Sequence, residues 1–445
     1  MSHYKPYPAY KDSGVEWLGR VPEHWVTKKL LYWISGYGSG TTPSSEDEYS
    51  TDGIPWVTTG ELRENTVFST DKCVTHDALK NNSALKLHPA GSLVIAMYGA
   101  TVGRLGVLGI EATLNQACFA IHPSERVMIP FLRHWFEGFR TELVGLATGA
   151  GQPNISGDKI RNLLLPCPQE LSEQAAIITH LDRETARIDA LIGKNTRFIE
   201  LLREKRQALI THAITKGLDP KAKLKDSGVE WLGEVPEHWV IKRFRDISIS
   251  ISTGPFGTAL GNEDYVTGGI PVINPSHIVD EQCSPDPDIT VSADTAERLS
   301  FWAMRAGDLV TARRGELGRA AIIFNEQDGW ICGTGSLRVR PNSSQVLTGY
   351  LHTVLQSRYA REWLNLASVG ATMANLNEGI LGSLPLALPP STTEQEQLLS
   401  SLATQSERLI KIEQKATLSV ALLKERRSAL ITAAVTGQID LREVV

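Results

Sequence analysis

Two stretches of this chain repeat apolar residues with a period close to three and a half. In the first, alternating steps of three and four pass through Ile178, Leu181, Thr185, Ile188, Ile192, Asn195, Ile199, Leu202, Arg206, Leu209 and Ala213. In the second they pass through Leu399, Leu402, Ser406, Leu409, Glu413, Ala416, Val420, Leu423, Arg427, Leu430 and Ala434. Neither stretch contains proline. The pattern predicts two long helices, over roughly 172–214 and 393–435, each with a seam of the coiled-coil kind. Their shared period and length favour packing on each other over packing each on its own domain. Ile188, Leu202, Leu409 and Leu423 are then apolar seam positions. Asn195, Arg206 and Arg427 are polar ones that set register at some cost in stability. Glu204 and Glu425 stand next to the two arginines and are the expected carboxylate partners.

Elsewhere the pattern changes. "GSLVIAMYG" (91–99) and "GDLVTARRG" (307–315) read as buried strands bounded by glycine. Single helices are expected at about 128–146 and 347–366. Each is followed by a Gly/Asn loop, "TGAGQPNISGDK" or "VGATMANLNEG". Then comes a proline-rich break, "LPCP" or "LPLALPP", where a helix cannot continue.

The order of elements is duplicated. "KDSGVEWLGRVPEHWV" (11–26) returns as "KDSGVEWLGEVPEHWV" (225–240), with fifteen of sixteen positions identical. "LLREKRQALITHAIT" (201–215) returns as "LLKERRSALITAAVT" (422–436), and Glu173-Gln174 as Glu394-Gln395. The offset drifts from 214 to 221, so the second body is seven residues longer. Each half therefore reads as a fixed phrase, a variable body and a fixed helix. Trp17 and Trp25 in the phrase are expected to be apolar anchors that frame the body. The tail "AVTGQIDLREVV" resembles the junction after the first helix, as if the chain were a broken circle of two units.

Composition narrows the class. The 445 residues suffice for two to four domains, and the apolar fraction of 42% is ordinary for a globular protein. No run is apolar enough for a membrane span, and no signal peptide is expected, so the reading is cytoplasmic. Five scattered cysteines without a C-x-x-C pair suit reduced, buried thiols. The net charge of −5 is unusual for a nucleic-acid binder and suggests that a partner assists any DNA contact. No phosphate loop, zinc spacing or nucleophile arrangement is present. "NPSH" (274–277) lacks the second proline and the aromatic of the amino-methyltransferase motif it superficially resembles. Two diverged bodies without catalytic residues suit a binding scaffold better than an enzyme.

"SGVEWLGEVPEHW", the "GQPNISG…LPCP…EQ" passage and "LLREKRQALITHAITKG" together resemble the specificity (S) subunit of type I restriction-modification systems, over essentially the whole chain. The resemblance implies an α+β fold. Two target-recognition domains of mixed β with short helices are joined by two long helices in an antiparallel coiled coil with a pseudo-twofold axis. The boundaries would be 1–165 (first recognition domain), 166–216 (first spacer helix), 217–388 (second recognition domain) and 389–445 (second spacer helix). It also implies a non-catalytic subunit whose partners are double-stranded DNA, two modification (methyltransferase) subunits and restriction (endonuclease/translocase) subunits. S-adenosylmethionine and ATP would sit on those partners, and this chain would hold no cofactor or metal. A helix of about 40 residues spans roughly 60 Å, enough to place two readers on one face of a duplex that repeats every ~34 Å.

DNA contact requires edge donors or acceptors and cations, with glycine allowing close backbone approach. The candidates are Tyr98, Arg104, Gln152 and Asn154 in the first body and Arg313, Arg314, Arg319 and Asn375 in the second. "GATMANLN" lacks the Gln-Pro of "GAGQPNIS", so a role for Gln152 has no second-body counterpart. Lys28-Lys29 and Lys242-Arg243 are further phosphate candidates. Two other readings compete: a standalone two-headed DNA-binding regulator, which would bind tightly without methyltransferase, and a coiled-coil assembly protein indifferent to DNA.

Overall fold

The computed structural model describes residues 4–16, 18–148, 153–368 and 375–442. Trp17, residues 149–152 of the first Gly/Asn loop (Gln152 among them) and residues 369–374 of the second lie outside the described residues. The long helices run Leu171–Lys216 and Thr392–Val435, close to the expected bounds. Each starts two or three residues after a proline and carries a glutamate in its first turn, where the macrodipole favours it. All the seam positions named above are buried or half-buried.

The chain divides into two compact units, Met1–Thr196 with Leu418–Val445 and Arg197–Thr417. The division cuts both long helices, so each unit holds one body and a segment of each helix.

In the first unit a five-stranded sheet has the order Tyr37–Ser39, Cys118–Ile121, Leu93–Ala96, Leu105–Leu108, Asn65–Val67, antiparallel except for the last pair. Leu93–Ala96 and Cys118–Ile121 are buried on both faces, which explains their unbroken apolar character. A smaller sheet sets Thr113–Leu114 parallel to Ile54–Val57. Val26–Lys29 pairs with Leu164–Cys167, bringing the two ends of the body together at the start of the helix.

The second unit repeats the plan. Its main sheet has the antiparallel order Ser248–Thr253, Ser336–Pro341, Leu309–Ala312, Ala320–Ile322. Ile331–Cys332 runs parallel to Ile270–Ile273 in the smaller sheet, and Val240–Arg243 pairs with Pro385–Leu388.

The repeated words of the sequence are the joints between body and helix. Trp25 is fully buried, and its indole N–H donates to the Glu173 carboxylate at 2.9 Å. Tyr7 Oη donates to the same carboxylate at 2.8 Å, and His24 Nε2 lies 2.9 Å from it. In the second unit Trp239, also fully buried, donates to Glu394 at 2.8 Å, with His238 at 3.0 Å. Gln174 and Gln395, both fully buried, clamp the loop before the body's helices. Gln174 Oε1 accepts from Met128 N while its amide donates to the Arg126 and Pro168 carbonyls. Gln395 does the same with Leu347 N and the Gln345 and Pro389 carbonyls. Trp231, the counterpart of Trp17, is 50% exposed and is not a core anchor.

Two expectations are corrected. Each expected body helix is a pair: Ile129–Gly138 and Arg140–Gly145, then Thr348–Gln356 and Arg358–Ala367. Ser357 is extended, and its hydroxyl accepts from Ala360 N, so it caps a new helix instead of continuing the old one. The seam arginines also choose distant carboxylates over Glu204 and Glu425. Arg427 pairs with Glu137 at 2.6 Å and Asp189 at 2.9 Å in the first unit. Arg206 reaches Glu281 at 3.2 Å in the second. Burial pushes the Glu137 carboxyl up, but hydrogen bonds from His134 and Arg427 outweigh it and hold it at about 2. Glu281 sits with Asp280 in a two-residue hairpin turn, both at positive φ (68° and 48°), which aims the carboxylate at the helix.

Candidate nucleic-acid interface

Strand register decides which loops meet. In the first body Ser39, Phe119, Ile95 and Leu105 are aligned across four strands, so the segments beyond them leave the same end of the sheet. Tyr98 lies just past Leu93–Ala96 and forms a backbone bridge with Asn154, 56 residues later. Ile155 N donates to the Met97 carbonyl at 3.0 Å and Gly99 N to the Pro153 carbonyl at 2.8 Å, which pins the Gly/Asn loop to this edge. Arg104 follows Gly103, whose φ of 79° closes the turn.

The second body builds the same edge. Thr253, Leu337, Thr311 and Ala320 are aligned, and Arg314 bridges Asn375. Leu376 N donates to the Arg313 carbonyl at 2.8 Å. Gly318, at φ 87°, precedes Arg319 as Gly103 precedes Arg104. The structure thus joins sequence-predicted residues that lie far apart along the chain into one edge per body.

The candidates are not equivalent. Tyr98, Arg104 and Arg314 are exposed, while Asn154, Asn375, Arg313 and Arg319 are half-buried. Arg313 Nε donates to the Leu376 carbonyl at 3.1 Å, so part of its guanidinium holds the loop. Arg104, Arg314 and Arg319 form no ion pair among the described residues, whereas the neighbouring Glu316 is taken by Arg361 at 2.8 Å. Three cations are therefore left to meet an anion. Asn154 and Asn375 each carry a buried side-chain oxygen with no partner among the described residues. Lys28, Lys29, Lys242 and Arg243 are exposed, on the strands that close each body.

The same edges carry residues that sequence reasoning missed. Thr42 and Gln116 flank the first edge, with the Thr42 hydroxyl donating to the Gln116 carbonyl. Phe256 and Thr334 stand at the corresponding places in the second. Their only sequence signal is Gly40 and Gly254, 214 residues apart. A Cβ on either would strike a backbone carbonyl, of Leu114 or Gly333.

Among the described residues no group of three or more His, Cys, Asp or Glu side chains could hold a metal ion. No described helix is long and apolar enough to cross a membrane. The five cysteines are free, and burial pushes the Cys283 and Cys332 thiols up to about 12.

The family model of the type I restriction modification DNA specificity domain matches twice, at residues 22–198 and 236–420. The chain is 26% identical over 201 residues to the EcoR124I/EcoR124II specificity subunit of Escherichia coli, an alignment covering 43% of this chain and 46% of that protein. It is 20% identical over 431 residues to the MjaVIII specificity subunit of Methanocaldococcus jannaschii, covering 96% and 95%. A solved structure bearing on complex assembly and conformational transition of a type I R-M system matches with a TM-score of 0.73 at 17% identity, over 94% of this chain and 99% of that one. The HsdS subunit from Thermoanaerobacter tengcongensis matches with a TM-score of 0.54 at 17% identity, over 94% and 98%. These structural likenesses speak to the fold. The two family matches each span most of one body and more than half of the long helix that follows it, and lie within the unit the duplicated sequence outlines. This chain belongs to the type I restriction-modification DNA specificity family.

Proposed function

We propose that this chain is the non-catalytic DNA-specificity subunit of a type I restriction-modification complex, in which each body reads one half of a split site. The observation that carries this reading is the edge built twice, with Tyr98 beside Asn154 and Arg314 beside Asn375, on bodies that share their joints and differ at their tips. A standalone regulator is not favoured by the family match.

The long helices act as an antiparallel coiled coil that spaces the bodies and docks two modification subunits; restriction subunits join that assembly. Two ion pairs support antiparallel pairing. Going from Asp189 to Arg203 advances fourteen residues, and their partners Arg427 and Glu413 retreat fourteen. Two grooves support paired docking. One is lined by Glu204, Ala208, Thr211 and Thr215, the other by their repeat counterparts Glu425, Ala429, Thr432 and Thr436. The same surface offered twice suits two copies of one partner. S-adenosylmethionine and ATP belong to those partners.

Exchanging residues 27–165 for the matching body of a relative tests the reading. Mapping methylated sites in cells that carry the chain and its methyltransferase is expected to show one half of the site changed and the other intact. Changes in both halves would overturn it. Because the chain is acidic overall, DNA affinity is also expected to rise when methyltransferase is added and to fall steeply with salt. Equal affinity with and without methyltransferase would count against the assembly.

A further inference from the structure

The two edges differ in chemistry at a second pair of matching positions, beside Tyr98 and Arg314. Thr42 and Phe256 each follow a glycine that seats the loop against a backbone carbonyl of the neighbouring strand. In the first body Thr42 and Gln116 are both exposed and hydrogen-bonded to each other, so a hydroxyl and an amide face outward. In the second, Phe256 is 65% exposed, though burying a phenyl ring would be favourable by about 2 kcal/mol. Its loop is built to hold it there. Gly254 N donates to the Ser336 carbonyl at 3.0 Å, Thr253 N to Glu378 at 2.7 Å, and Gly257 turns the chain at φ 65°. Ser336 is the register partner of Ala312, two residues before Arg314, so the ring and an unpaired guanidinium leave the same sheet end.

We infer that Phe256 is a specificity-determining residue of the second body and makes apolar contact with a thymine methyl group in the major groove, where the first body instead reads by hydrogen bonds from Thr42 and Gln116. A phenyl ring has no donor or acceptor to offer a base edge, and the thymine C5 methyl is the one apolar feature that edge displays. This inference rests on the proposed function above.

The test uses the assembled modification complex and the site it methylates. Replacing each thymine of the second half with uracil removes only the methyl group. The wild-type complex is expected to methylate one of these duplexes about tenfold more slowly, and Phe256→Ala to methylate thymine and uracil versions alike. Thr42→Ala is expected to alter only the first half. Equal wild-type rates on all uracil duplexes, or unchanged selectivity in Phe256→Ala, would overturn the inference while leaving the two-part site standing. A wild-type complex that methylates no two-part site would overturn the functional reading itself. Phe256 contributes nothing to the cores, so thermal melting is expected to be unchanged in the variant.

Discussion

The two units use the same joint in unequal form. In the first, Glu173 is 6% exposed and receives Tyr7, Trp25 and His24. In the second, the Glu394 side chain is 33% exposed and, among the described residues, receives only His238 and Trp239. The missing partner is the tyrosine: Lys221 stands where Tyr7 would recur. A second contrast lies on the main sheets. The first body holds a His88–His122 contact at 2.9 Å, while in the second Arg340, at the position that matches His122, instead makes a bidentate pair with Asp308 at 2.8 and 2.7 Å. Joint geometry is thus kept where body meets helix, while the solution to a buried polar position is free to differ.

The largest effect should come from what the joints share. Trp25→Ala and Trp239→Ala each remove a fully buried indole and are expected to cost about 3–5 kcal/mol. Hydrogen exchange resolved by unit should find each loss confined to its own half; equal loss in both halves would break the description as two units. The joint's inequality comes next. Glu173→Ala strands two buried donors, Tyr7 and Trp25, beside a half-exposed His24 and is expected to cost about 3 kcal/mol, while Glu394→Ala, which strands only one buried donor, Trp239, should cost about 1 kcal/mol. Urea titrations of the two variants, followed by the same exchange readout, would check the ranking.

Acid should separate the units as well. Burial first, then the neighbouring His122 and Lys86, lowers the His88 imidazole from its ordinary 6.5 to about 4. The folded state therefore binds this proton less readily than the unfolded chain. Its contribution is fully present above pH 6.5 and is lost as pH falls toward 4, on the order of 2–3 kcal/mol. The first unit is expected to lose this contribution over that window, and replacing His88 should remove that part of its acid sensitivity. The smallest contrast involves the helix arginines. Arg427 is three-quarters buried between two carboxylates, whereas Arg206 meets one carboxylate that is 45% exposed. Double-mutant cycles should give about 1–2 kcal/mol for Arg427 with Glu137 and under about 1 kcal/mol for Arg206 with Glu281.

By itself the sequence determined the duplication, the two long helices to within two residues at each end, and the seam residues they bury. Those features depend on short-range periodicity and on proline and glycine, which act within a turn or two of where they occur. The seam's period also marked Arg206 and Arg427 as polar intruders but could not name Glu281 or Glu137, since neither lies near them along the chain. Tertiary structure alone decided that Tyr98 meets Asn154, that Arg314 meets Asn375, and that Thr42, Gln116 and Phe256 stand on the same edges. Strand register sets those meetings, and register follows from which faces of several distant strands are buried together, a property no local window of residues contains.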